Sequence, residues 1–98
     1  MHQYTVNAAL QLLPVGGTKH PYEWVDEAIA IIKRSNLKSE VGAFTTTVEG
    51  SYSDIMQLIG DINEYLINAK CREWILGVQL QMRSEADITA AEKTDKHR

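Results

Sequence analysis

Residues 41–50, Val-Gly-Ala-Phe-Thr-Thr-Thr-Val-Glu-Gly, hold the densest set of groups in the chain able to recognise a small molecule. Thr45, Thr46 and Thr47 carry three consecutive hydroxyls into what reads as a short strand. β-Branched residues suit strands in any case, so propensity alone accounts for threonine at these positions. Parity sharpens the choice. Side chains alternate between the two faces of a strand, so if Val48 points into a core, Thr46 does too. A hydroxyl placed there must find a hydrogen-bond partner or cost free energy, and a bound ligand is one such partner. Ser39 shares the presumed inner parity with Leu37 and Val41 and is a second-rank hydroxyl. Glu49 is the nearest acid, but its parity is opposite to that of Thr46. It reads as a solvated strand residue, or as one that acts across a subunit contact or at the strand end.

Catalytic chemistry has little footing elsewhere. There is no phosphate-cradling glycine loop, no nucleophile elbow, and no grouping of Cys, His and carboxylate that local structure would bring together. His2, His20 and His97 lie at a terminus, at a helix start and in the tail, and read as exposed or capping histidines; no metal site is expected. Cys71 reads as a small buried or half-buried side chain rather than a reactive thiol. Trp24 and Trp74 read as core or interface residues, and the chain as a whole is not expected to be an enzyme.

The elements that must position the threonines follow from periodicity. Tyr4, Val6, Ala8, Leu10 and Leu12 share one parity, with Thr5, Asn7, Ala9, Gln11 and Leu13 on the other, so the segment from Tyr4 to Leu13 is a strand with one apolar face, stopped by Pro14, Gly16 and Gly17. His20-Pro21 opens a helix whose face is Val25, Ala28, Ile29 and Ile32, with Glu23, Asp26 and Glu27 at its start and Lys33 and Arg34 at its end. Asn36 suits a left-handed cap. Leu37 to Gly50 then forms a hairpin turning around Gly42 to Thr45. Ser51 or Ser53 caps a second helix with Ile55, Ile59, Ile62 and Leu66 on its buried stripe, ending near Ala69 or Lys70. Trp74 to Met82 alternates again as the last strand. The tail, residues 86–98, is weakly helical around Thr89 to Thr94 and either docks on a neighbour or frays.

The order is βαββαβ, and right-handed crossovers put both helices on one face of a four-stranded antiparallel sheet, an α+β arrangement of the ferredoxin-like kind. The other face is then bare. It presents Thr5, Asn7, Ala9, Gln11, Leu13, Ile75, Gly77, Gln79 and Gln81, a set too apolar for a solvated surface and too polar for a sealed core; sheet-to-sheet association of subunits would account for it.

Composition sets the bounds. Ninety-eight residues that are 44% hydrophobic suit one domain, residues 1–98, and not two. A net charge of −3 with scattered Lys and Arg argues against nucleic acid as a partner. One cysteine leaves no internal disulfide, and neither a membrane span nor a secretory signal is evident, so a cytoplasmic protein is expected.

The runs EVGAFTTTVEG, SDIMQLIGDINEYL and ITAAEKTDKHR together resemble the small thiamine-binding proteins of the YkoF-like family, single-domain type, over about Tyr4 to Arg98. The resemblance implies a ferredoxin-like domain that binds thiamine or its hydroxymethylpyrimidine half, with no other cofactor. It also implies a homo-dimer or homo-tetramer assembled through the open sheet faces. Thr46 falls on the threonine that precedes the Val-Glu-Gly step and would anchor the pyrimidine, flanked by Thr45 and Thr47. An aminopyrimidine shows an amidine-like edge that hydroxyls, backbone groups or a carboxylate such as Glu49 can pair. The rival reading is a regulatory domain of the ACT type, which shares the element order and would bind an amino acid at a subunit interface near Gly16 and Gly17. A small enzyme of dimeric ferredoxin-like type is a third, needing an acid or base that only Glu49 or a histidine could supply.

Overall fold

A computed structural model describes residues 2–16 and 19–94. The strands are β1 (Thr5–Gly16), β2 (Lys38–Val41), β3 (Thr46–Ser51) and β4 (Glu73–Gln81); the helices are α1 (Pro21–Arg34), α2 (Tyr52–Asn68) and the short α3 (Ala90–Thr94). The four strands make one antiparallel sheet in the order β2-β3-β1-β4. With α1 and α2 on one face, this is the ferredoxin-like α+β arrangement that the βαββαβ order implies.

Local signals act where they stand in the sequence. The His20 side chain caps α1 by accepting from Tyr22 N at 3.2 Å, with Pro21 at the first helical position. Asn36 takes the left-handed conformation (φ 64°) that ends the α1 excursion. Ser51 Oγ accepts from Asp54 N at 3.1 Å and starts α2. The core lies between the helical layer and the inner face of the sheet, where Val6, Ala8, Leu10 and Val48 meet Trp24, Ala28 and Ile32 of α1 and Ile55, Leu58, Ile62 and Leu66 of α2. A polar tie closes the helical layer at one end. Lys19 Nζ lies 2.7 Å from Glu27 Oε1, and the Tyr65 hydroxyl donates to Glu27 Oε2. Lys19 also stands 4.8 Å over the Trp24 ring, whose Nε1 is buried without a hydrogen-bond partner among the described residues.

Three expectations need correction. First, β1 does not stop before Pro14; it runs through it to Gly16, with an irregularity between the two. The reason is local edge character: β3 pairs β1 only as far as Leu10, so beyond that residue β1 has β4 alone beside it, and proline is tolerated where one flank has no partner. Second, the tail neither docks on a neighbour nor frays between Asp87 and Lys93; it lies on its own sheet. Thr5 N donates to Asp87 Oδ1 (2.6 Å), Ile88 N to Thr5 O (3.0 Å), and Lys93 Nζ to Gln81 Oε1 (2.8 Å). Ile88 is buried as completely as any core residue. Third, the outer face is therefore not bare: Asn7 is only 3% exposed under Ile88, whereas Leu13 and Ile75 at the other end stay open. Gly17, Thr18 and the tail from residue 95, including His97, lie outside the described residues.

Candidate ligand cavity beneath the hairpin

Thr46 opens β3 and points inward. Its neighbours across the sheet are Leu10 of β1 on one side and Val41 of β2 on the other. The side chain is nearly buried, yet its hydroxyl makes no hydrogen bond within the described residues. It faces a cavity of about 190 Å³ between α1 and the sheet. Leu10, Leu12 and Leu76 floor that space, Val25, Ile29 and Ile32 of α1 roof it, and Gly42 to Thr45 form its lip. Two aromatic side chains stand at the mouth: Tyr22 from the first turn of α1, 74% exposed, and Phe44 from the turn, 84% exposed.

The turn itself is tightly specified. Gly42 N donates to Thr45 O at 2.9 Å, and a Cβ on Gly42 would lie 2.9 Å from that same carbonyl oxygen. Only glycine lets the backbone close here without shifting the lip. The site is thus a largely apolar slot lined by Thr46, with an exposed second hydroxyl at Thr45 and the backbone groups of a closely packed turn. Among the described residues no carboxylate, histidine, lysine or cysteine lines it.

The remaining predicted site residues divide by parity. Thr47 and Glu49 face the outer side of the sheet, opposite Ala9 and Asn7 of β1. Glu49 is no solvated strand residue: its Oε1 accepts from Ala90 N at 2.8 Å and caps α3, while Oε2 lies 3.7 Å from Lys38 Nζ. Its charge suits the N-terminal end of that short helix. Thr47 lines a separate, open hollow of about 330 Å³ on the outer face, with Asn7, Gln79, Gln81 and Lys93. Ser39 has the inner parity expected of it, opposite Val48, but it is not among the residues around the Thr46 cavity. The structure therefore joins Thr46 with Thr45 and separates both from Thr47, Ser39 and Glu49. Sequence reasoning missed Tyr22 and Phe44. Their signal was available as aromatics at a helix start and a turn tip, where no core demands them.

Fold and site together define a class: a small α+β domain with a half-open, non-ionic slot between a helix and its sheet. Comparison with known proteins narrows this. Residues 8–98 match the family model described as thiamine-binding protein, and the chain belongs to that family. It is 32% identical over 94 residues to a UPF0045 protein of Clostridium perfringens, covering 96% of this chain and 98% of that one. It is also similar to a solved domain of unknown function from Bacillus cereus (TM-score 0.89, 28% identity, 97% of this chain and 91% of that one). A Thermotoga maritima structure, of a protein proposed to act in thiamine biosynthesis or salvage, superposes with a TM-score of 0.85 at 29% identity, covering 96% and 99% of the two chains.

Proposed function

We propose that this protein binds thiamine or its hydroxymethylpyrimidine moiety, without making or breaking a bond, in vitamin salvage, transport or sensing in the cytoplasm. The observation that carries the reading is Thr46: its side chain is nearly buried, its hydroxyl has no partner among the described residues, and it lines a largely apolar slot in a chain of the thiamine-binding family. A slot of about 190 Å³ is smaller than the roughly 300 Å³ from which drug-sized ligands start. It suits one heteroaromatic ring inside, the aminopyrimidine, with a second ring left at the mouth between Tyr22 and Phe44. Thr46 then pairs the pyrimidine's polar edge, with backbone groups of the turn beside it.

A non-catalytic role is supported by the lining, which among the described residues offers no carboxylate, histidine, lysine or cysteine to a bound ring. Among the described residues no cluster of His, Cys, Asp and Glu could hold a metal ion, and no helix is long and apolar enough to cross a membrane. Assembly into a dimer or tetramer through the sheet faces is part of the same reading, now limited to the end around Leu13 and Ile75 that the tail leaves open. The ACT-type alternative needs a ligand near Gly16, but that residue is built into β1 opposite Glu73, and its carbonyl accepts from Cys71 Sγ at 3.2 Å.

Calorimetric titration with thiamine, hydroxymethylpyrimidine and an amino-acid panel tests the reading. Either pyrimidine compound is expected to bind at micromolar concentration or tighter. Thr46→Val is expected to weaken it several-fold to tenfold, the size of a lost hydrogen bond of about 1 kcal/mol, while leaving the fold intact. No heat with either compound would sink the proposal; heat with an amino acid instead would favour the regulatory-domain class.

A further inference from the structure

The outer face of the sheet holds a polar basin, on the side away from the Thr46 slot. Its floor is Ala9, flanked by Thr47 of β3 and Gln79 of β4; one step along the same face, Asn7 stands beside Gln81. A small residue between longer ones leaves the hollow of about 330 Å³ described above, and Lys93 of α3 completes its lining. The basin lies at the other end of this face from the Leu13 and Ile75 pair, where association of subunits is proposed.

Hydrogen bonding in the basin is unfinished. Asn7 is buried in the middle of the sheet, and its Nδ2 donates to Ile88 O at 3.5 Å; a carbonyl oxygen only accepts, so this contact fixes which end of the amide is the nitrogen. Asn7 Oδ1 is left buried with no hydrogen-bond partner among the described residues. An enclosed acceptor of this kind costs stability unless something donates to it. Lys93 Nζ donates to Gln81 Oε1 at 2.8 Å, which by the same reasoning leaves the Gln81 NH2 group and two ammonium protons to offer. No carboxylate among the described residues lines the basin: Glu49, opposite Asn7 on β3, is held by Ala90 N and Lys38.

We infer that this basin is a second ligand site, for a polyhydroxy monocarboxylate of the sugar-acid class. The carboxylate pairs with Lys93 Nζ and the Gln81 NH2 group, both donors. A hydroxyl on a neighbouring carbon donates to Asn7 Oδ1: Asn7 and Gln81 sit directly opposite on paired strands, where backbones are only about 4.5–5.5 Å apart, so the two groups of the ligand must be close together as well. Further hydroxyls meet the Gln79 amide and the Thr47 hydroxyl, each of which both donates and accepts. Charge balances, one cation against one anion. An amino acid would bring an ammonium group that no carboxylate of the lining answers, and a plain carboxylate such as acetate has no proton for Asn7 Oδ1. The volume, about 330 Å³, falls within the roughly 300–1,000 Å³ of small-molecule sites. The sheet separates this site from the Thr46 slot, so each can be occupied without the other.

Proton–nitrogen correlation NMR of the full chain tests this, because the side-chain amides of Asn7, Gln79 and Gln81 report from the basin itself and the same spectra show whether a variant is folded. The probes are gluconate, glucuronate and glycerate, with hexanoate as a carboxylate lacking hydroxyls and sorbitol as a polyol lacking charge. At least one sugar acid is expected to shift the three amides and to saturate at millimolar concentration, with hexanoate and sorbitol about tenfold weaker or worse. Lys93→Gln is expected to weaken the sugar acid about tenfold, and Asn7→Leu to abolish the response at Gln79 and Gln81. The inference is overturned if none of the three acids gives a saturable shift at these amides, if hexanoate or sorbitol binds as well as they do, or if Lys93→Gln leaves the affinity unchanged. Should Asn7→Leu fail to fold, Lys93→Gln, an exposed position, decides the question alone.

Discussion

A single unpaired hydroxyl carries the binding proposal, while a second group of polar side chains fixes how pH acts on the fold. Glu27 is held below the ordinary carboxylate value of 4.5, first by the hydrogen bond from Lys19 and then by that from Tyr65. The Tyr65 hydroxyl is raised above 10.0, chiefly because it donates to Glu27, and Lys19 is raised above 10.5 by the same carboxylate. A lowered carboxylate adds stability above its unfolded value and loses it as pH falls through the folded one. The two raised groups add stability below their unfolded values and lose it as pH rises through the folded ones. The tie is thus intact from about pH 5 to 9 and weakens on either side. Thermal unfolding across pH should show Tyr65→Phe with a flatter alkaline limb than the wild type. Superimposable limbs would show that the tie contributes nothing. At this scale the sequence was legible where one parity argument sufficed: Val48 inward implies Thr46 inward. It was not legible for Glu49, because the group that Glu49 binds, Ala90 N, lies far along the chain in a segment with little periodicity of its own.

Among the elements, apolar spacing located both long helices and the strands β1 and β4, while β2 and β3 followed from a composition rich in Val, Phe and Thr and the turn between them. The failures share a physical cause. Pro14 normally ends a strand, but whether it does depends on how far the neighbouring strand reaches, which local sequence does not encode. The tail has too few apolar residues to announce a packing face, and one of them, Ile88, does the packing. Replacing Ile88 by alanine is expected to cost about 2–4 kcal/mol in denaturant unfolding and to raise dye binding at the uncovered sheet. A loss near zero would mean that the segment does not rest on the sheet in solution. The end of α2 gives the opposite sign. Lys70 adopts φ 69° there, while Lys70 N and Cys71 N donate back to Ile67 O and Leu66 O. A left-handed conformation costs a side-chain-bearing residue roughly 1 kcal/mol, so Lys70→Gly should stabilise the protein by up to about that amount. Unchanged or lower stability in chemical denaturation would contradict this account of the cap.

For the whole molecule, ligand and stability are linked because the slot lies inside the single core. A ligand present at a hundred times its dissociation constant stabilises the folded state by about 2.7 kcal/mol, which for a domain of this size raises Tm by roughly 10–20 °C. Thiamine or hydroxymethylpyrimidine should produce such a shift in the wild type and a smaller one in Thr46→Val at the same concentration. Equal shifts in both proteins would place the ligand elsewhere, the open hollow beside Thr47 being the first place to look. Fold class was the most legible property of all, because element order and crossover handedness leave few topologies to choose from. Which part of the outer face remains open was illegible, because covering it depends on contacts between the two ends of the chain.

Those contacts have a consequence for how the protein is made. β1 emerges before the other three strands, yet it is an inner strand of the sheet: its β4 neighbour comes last of the four, and Ile88 reaches back to Thr5 later still. Everything from β1 to Ile88 must therefore be synthesised before β1 is flanked on both sides and covered. The nascent protein keeps an unfinished sheet until β4 and the segment carrying Ile88 have been made, closes it in one long-range step, and folds more slowly than a helical chain of equal length.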